Sequence, residues 1–577
     1  MARPTLKDLN VVSRSYHFFI RLSENFGWRF VIVLLSAFVG VKGVLYTLGN
    51  SSYLPYIRVK AGVTDAARYQ AFLTVARLPW SLKAMIGMVS DLLPVAGLHK
   101  RYYILGSAMM GTAASVVLSA APIRRWGGGV FAAVLLFLVS LESATVDLLI
   151  QGVYARMMVA QPETGADLVT AVWVFIMFGT IGGAGLVAIF ADKDPSLFFW
   201  VSLPFAAQIL VPIAVGWLPE DPAVAGVRAA KWQANKKYFG LAVLMSAGAL
   251  GLGAASLWGS AVVQAAYSIT VSVVLCAASL WLLPPLIGKA QVYMFLTSAM
   301  NLQLRGAFDV FYTGDEVCIP GGPNFDNAFY LSYSVMIGSL AGVAGVSLFQ
   351  MVLSRTWYRR AFWTTTVLQV VAAIIDITIV QRWNRRVGVS DKLFYVLGDA
   401  IVQEIVLMLD WMPAIVLTSK LCPIGVESTV YALLAGFQNF GQSVSSSLGV
   451  LALDLGGIQT PDDALCDFSN LTLLIIIGHI VLPLLTIPLT FWLIPNAKMT
   501  DDLVGGLPMM GEAEKDDSDG SDAGSNSSDC SGEAGGGTDA TGVEGRGGPL
   551  APAEDVPPLV APVSVSAPVA ADGAAPL

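Results

Sequence analysis

Between residues 29 and 494 the chain is built from apolar stretches, each about 20 residues long, joined by short polar links. Such a stretch matches the hydrocarbon thickness of a bilayer, where only helices or closed barrels satisfy the backbone. The stretches read as helices near 29-48, 67-90, 102-121, 129-153, 168-191 and 197-218, then 238-257 and 260-284. Six more follow near 290-312, 327-350, 362-381, 393-418, 426-452 and 471-494. The expectation is an all-α polytopic membrane protein with 14 transmembrane helices arranged 6+2+6. Composition agrees, with 55% hydrophobic residues, 13% charged residues and a mean hydropathy of +0.66.

The net charge of -7 hides two regions of opposite sign. Residues 501-577 carry 15 acidic and two basic side chains, and the rest of the chain is net basic. That segment is rich in Gly, Ser, Asp, Ala and Pro and cannot bury a core, so a disordered acidic tail is expected over 497-577. The other expected divisions are an N-terminal segment (1-28), a six-helix bundle (29-218), a loop with two additional helices (219-289) and a second six-helix bundle (290-496). Arg3, Lys7, Arg14, Arg21 and Glu24 precede the first span, and no secretory signal is read there. With the N-terminus inside, inner links hold about 18 Lys and Arg against about 10 outside, which puts both termini in the cytoplasm. The Arg382-Lys392 cluster opposes that orientation. Cys318 and Cys466 fall in external links, where a disulfide is permitted, two free thiols being the alternative. No basic stripe with interleaved aromatics suggests nucleic acid.

Charges inside apolar spans are costly and mark solute paths or buried partners. The segment Pro79-Tyr103, PWSLKAMIGMVSDLLPVAGLHKRYY, carries Lys83, Gly87 and Asp91, then a Pro/Gly turn and Lys100-Arg101. Repeated six-helix halves suggest the major facilitator architecture, in which the first and fourth helices of each half line a central cavity. The corresponding spans carry Lys42; Glu142 and Asp147; Arg305 and Asp309; and Asp399, Glu404 and Asp410. Arg305 and Asp309, spaced i,i+4, suit either a cavity or a structural pair. Glu142 and Asp147 are about 140° apart on a helix, so one faces the cavity and the other a neighbour, with Asp147 favoured for the cavity. Lys83 and Arg77 are candidate counter-ions for these acids. Asp376, near a span end, reads as solvated. Gly179, Gly182, Gly183 and Gly185 suit close helix packing, and His479 and Gln438-Asn439 suit interhelical bonds. No P-loop or metal-ligand cluster is present, and neither an enzyme nor a cofactor is expected.

Six strings then carry a resemblance: PWSLKAMIGMVSD, ATVDLL, GAFDVFYT at 306-313, LTSKLCP at 417-423, ESTVYALLAGFQNFGQ at 427-442 and IPLTFWLIP at 487-495. Together, over residues 14-500, they resemble the folate-biopterin transporter family of the major facilitator superfamily, especially its kinetoplastid branch. The resemblance implies a plasma-membrane carrier of folate or biopterin coupled to protons. Carriers of S-adenosylmethionine occur in the same family. The resemblance also implies Glu where Gln151 stands and Lys where Val153 stands, and in some branches Pro where Ala84 follows Lys83.

A mechanism follows as an expectation. A carboxylate, Asp147 or Glu404, accepts the paired N-H donors of a pterin. Lys42, Lys83 and Arg305 meet the carboxylates of a folate tail, Asp309 pairs with Arg305, and Trp80 and Tyr312 stack on the ring. Protonation of a cavity acid couples uptake to proton entry. Gly87, Asp91, Lys100 and Arg101 gate the cytoplasmic face. The excess of acids over bases would suit a cationic solute instead, and a membrane receptor or scaffold recruiting partners through its tail is the alternative of another class.

Overall fold

The computed structural model describes residues 11-503 apart from 161, 221, 223-226, 422-426, 462-463 and 502. The expected acidic tail lies outside the described residues from 504 onward, and part of the link after Pro219 does too. Helix α1 (Val11–Phe26) precedes the first span. It is followed by α2 (Trp28–Lys60), α3 (Ala66–Leu92), α4 (Arg101–Ala120), α5 (Gly128–Ala160), α6 (Pro162–Phe190) and α7 (Leu197–Ala214). Helices α8 (Val227–Trp258) and α9 (Ala261–Leu282) form an intervening pair. The second set comprises α10 (Pro285–Met300), α11 (Arg305–Thr313), α12 (Phe329–Leu353), α13 (Tyr358–Val380), α14 (Asp391–Lys420), α15 (Glu427–Leu455) and α16 (Leu471–Leu493). Among the described residues there are no named strands.

Twelve of these helices are long and apolar enough to cross a membrane. The other two expected spans differ for physical reasons. The ninth is split into α10 and α11 by the non-helical stretch 301-304, which leaves backbone groups for side chains to satisfy. Ser445 accordingly accepts from Gln303 N at 3.0 Å and donates to the Asn301 carbonyl. The span at α15 is a continuous helix, but Gln438, Asn439, Gln442 and five serines dilute its apolar character.

Local chemistry sets several helix ends. The Asp65 side chain accepts from Arg68 N at 2.6 Å to cap α3, and Ser260 caps α9 in the same way. Two long helices loosen into π-helical turns at charged residues: Ser36–Leu45 around Lys42, and Val396–Gln403 around Asp399. Such turns interrupt the regular ladder and recur at functional sites.

The first and second sets of helices meet along α3 against α15 and α6 against α12, while α8 and α9 pack on α3, α15 and α10. Glycines permit the closest approach within the first set. A Cβ on Gly43 of α2 would stand 2.5 Å from the Gly179 Cα of α6. Gly182 and Gly185, grouped with Gly179 by sequence, meet nothing within 4 Å.

One membrane face carries the disulfide between Cys318 and Cys466, whose Cα atoms are 4.7 Å apart. On this disulfide face the two sets are laced together. Gln70 of α3 donates to the Gln303 and Ser446 carbonyls at 2.7 and 2.8 Å and accepts from Gly306 N at 2.9 Å. Ser332 donates to the Ala184 carbonyl at 2.6 Å, and Thr460 to the Thr64 carbonyl at 2.7 Å.

Asp376 departs from its reading as a solvated residue. It is completely buried near the end of α13 and accepts from Gln403 of α14 at 3.1 Å. Closeness to a span end in the sequence does not mean exposure where α14 covers that end.

Candidate functional site

The π turn in α2 and the 3-10 bend Leu78–Trp80 in α3 aim two lysines at one acid of α5. Lys83 Nζ lies 2.5 Å from Asp147 Oδ2, and Lys42 Nζ lies 3.6 Å from the same oxygen. Gln151, one turn along α5, donates to the other carboxylate oxygen at 3.0 Å. All three charged side chains are at most 2% exposed. Both lysines also sit over the Trp80 ring, at 3.9 Å for Lys42 and 4.4 Å for Lys83 from its centroid, and Tyr46 stands edge-on to that ring. Aromatic faces stabilise cations best when water is excluded.

Two lysines against one carboxylate leave a local excess of positive charge when all three are ionised. Had the residue at Gln151 been the glutamate implied by the resemblance, that excess would be cancelled. Lys42 Nζ makes no hydrogen bond, so its donors stay available.

The remaining expected site residues are distributed differently. Glu142 turns away from Asp147, fully buried against Gly111 of α4. Arg305 and Asp309 pair at 3.2 Å, but Asp309 also accepts from Tyr69 of α3 at 2.6 Å and Tyr330 of α12 at 2.8 Å. This carboxylate joins both sets of helices and has three donors. Glu404 is buried on α14 beside Gly338 of α12. Asp410 accepts from Thr365 of α13 at 2.9 Å. Tyr312 is packed among Phe308, Phe325 and Tyr395 rather than open to a ligand ring.

The segment expected to gate forms its bonds within the first set. Lys100 Nζ pairs with Asp91 at 3.8 Å across the turn, and Glu220 accepts from the Lys100 and Arg101 amides at 2.5 and 3.1 Å. An acid here suits the N-terminus of α4. Arg101 donates to the Ala214 carbonyl at the end of α7. A Cβ on Gly87 would be 3.6 Å from Leu148, an ordinary contact, so packing does not demand glycine there.

Tyr46, Gln151, Tyr69 and Gln70 were not singled out as site residues from sequence. The helical register carries a signal for the first two: Tyr46 and Gln151 each lie four residues beyond a charged member, Lys42 and Asp147, and so share its face. Tyr69 and Gln70 have no such signal, because their partners lie more than 200 residues away.

The BT1 family pattern matches residues 42–505. The chain belongs to the BT1 family. This BT1 protein is 25% identical over 523 residues to probable folate-biopterin transporter 2 of Arabidopsis thaliana, covering 89% of this chain and 92% of that one. It is also 25% identical over 463 residues to the folate-biopterin transporter of a Synechocystis species, covering 79% and 80%. Among solved structures, a POT family transporter in complex with a thioalcohol conjugated peptide is similar, with a TM-score of 0.58 and 13% identity over 81% of this chain and 96% of that one. A mutant of the nucleoside transporter NupG gives 0.55 at 12% identity, over 80% and 99%. Likeness at that identity concerns the fold, which is major-facilitator-like. Family and fold make the BT1 protein a multi-pass membrane transporter.

Proposed function

We propose that this BT1 protein carries folates and pteridines across the plasma membrane as a secondary active, proton-coupled transporter. The observation that carries this reading is the site where Lys42 and Lys83 flank Asp147 over Trp80. Asp147 suits the paired N-H donors of a pterin, the lysines suit the carboxylates of folate, and Trp80 offers a ring for stacking. The names of the relatives support the same substrate class.

The bundles at 29-218 and 290-496 are the halves that rock in alternating access, with the pair in 219-289 alongside them. Asp91, Lys100 and Arg101, bonded within the first bundle, brace its rim on the face opposite the disulfide so that the bundle moves as one body. The disulfide face is outside, where oxidising conditions favour the bond, and both termini are cytoplasmic. A carrier of cationic S-adenosylmethionine fits less well, because the sequence-level excess of acids does not gather at this site. Glu142, Asp399 and Asp410 face other partners.

The test is uptake of labelled folate, biopterin and S-adenosylmethionine by transport-deficient cells at two pH values, for wild type and Asp147→Asn. Loss of folate or biopterin uptake in the variant, with normal surface expression, is expected. Undiminished proton-driven uptake would sink the reading. Deleting the acidic tail separates a carrier, which keeps uptake, from a scaffold, which loses its role.

A further inference from the structure

A second buried group of charges stands apart from the lysine site. Asp376 on α13 and Asp399 in the π turn of α14 are direct neighbours, and the Tyr312 hydroxyl of α11 faces Asp399. None of the three residues is more than 2% exposed. Gln403 donates to one oxygen of Asp376 at 3.1 Å. The other Asp376 oxygen, both Asp399 oxygens and the Tyr312 hydroxyl have no hydrogen bond of ordinary geometry. Gln403 and the Tyr312 hydroxyl are neutral, and burying two negative charges together is strongly unfavourable unless a cation joins them.

We propose that Asp376 and Asp399, with the Tyr312 hydroxyl, form the binding site for the monovalent cation that drives transport, the proton of the reading above, with sodium as the alternative that the test separates. A proton would be shared between the two carboxyls. Sodium would take oxygen ligands from both carboxylates and from Tyr312. The surrounding titratable groups do not supply the missing charge. Asp309 and Arg305 on α11 neutralise each other, and Tyr330 donates to Asp309. Tyr395, also on α14, is a neutral neighbour, Glu404 on α14 turns toward Gly338, and His479 on α16 is bonded to the Leu302 carbonyl at 2.6 Å.

The location gives the cation a route to the rest of the fold. The Tyr312 ring lies 5.8 Å from Tyr330, and Tyr330 shares Asp309 with Tyr69 of the other half. Occupancy beside Tyr312 is therefore two side chains from the clasp between the halves on the disulfide face.

The coupling role rests on the carrier reading above, whereas cation binding does not, so the test has two readouts. First, thermal unfolding of the purified full-length protein is followed from pH 5 to 8 in choline chloride, and at fixed pH against sodium chloride. Wild type should change its Tm by several degrees in one series, and Asp399→Asn should lose most of that response. A pH response identifies a proton, and a sodium response identifies sodium. Asp376→Asn and Tyr312→Phe repeat the test if Asp399→Asn does not fold. Second, in proteoliposomes Asp399→Asn should lose at least tenfold in gradient-driven folate uptake while keeping folate counterflow. Equal Tm responses in wild type and variants would overturn the site, and retained gradient-driven uptake by Asp399→Asn would overturn its coupling role. If wild type moves no folate or pterin yet shows the Tm response, the substrate reading fails and the cation site stands.

Discussion

Asp147 and Asp309 are both buried carboxylates with a cation alongside, but they have different partners. Asp147 takes its contacts from Lys42, Lys83 and Gln151, all in the first set of helices, and two of the three are cations. Asp309 takes one cation, Arg305, and two phenols, Tyr69 and Tyr330, from both sets. Excess positive charge beside an aromatic face suits an arriving anion. A carboxylate with three donors from both halves suits closure. Buried charge in this protein therefore does two jobs, and the partners tell them apart.

The largest expected effect comes from Asp147→Asn, which strands two buried lysines. Breaking a buried ion pair costs about 3–5 kcal/mol. Folate uptake should fall at least a hundredfold, and the Tm of the purified protein should drop. If Asp309→Asn abolished folate binding while Asp147→Asn left it intact, the contrast would be reversed.

Tyr69→Phe and Tyr330→Phe should each weaken the clasp by about 1–3 kcal/mol, because a buried acceptor loses its donor. Spin labels across the disulfide face should report wider separations. Folate affinity in detergent should change less than threefold, which distinguishes closure from binding.

Lys42→Met removes the excess positive charge and leaves the shorter Lys83 pair in place. KM for folate should rise roughly tenfold, equivalent to about 1.4 kcal/mol, and KM for biopterin should rise less. Equal changes for both would mean that the lysine does not meet the carboxylate tail.

The smallest effect belongs to an exposed pair on the same disulfide face. Lys60 and Asp194 lie 3.1 Å apart with Asp194 mostly exposed, and the Ser196 amide, with Lys60, holds the Asp194 carboxyl below its ordinary range. Its contribution is present above the unfolded carboxylate value of about 4 and is lost as pH falls through the lower folded value. Asp194→Asn should therefore leave the shape of the Tm curve between pH 5 and 8 unchanged and cost less than about 1 kcal/mol.

Much of the fold was legible because apolar length and helix are tightly linked in a bilayer. Lys42, Lys83 and Asp147 stood out because a charge in a span is expensive wherever it ends up. Which charges meet was not legible. Glu142 and Asp147 have the same chemistry five residues apart, and only the neighbours of α5 separate lysine from glycine as the facing surface. Asp376 shows the same limit, since its burial depends on how α14 covers α13. The break at 301-304 was hidden as well, because the residues that satisfy it come from α3, α15 and α16.

The most direct measurement is folate binding to the purified full-length protein, by isothermal titration, with S-adenosylmethionine titrated in parallel. Wild type should bind folate in preference to S-adenosylmethionine, and Lys42→Met should lose about tenfold in folate affinity. Tighter binding of S-adenosylmethionine, or a folate affinity untouched by Lys42→Met, would contradict the folate reading.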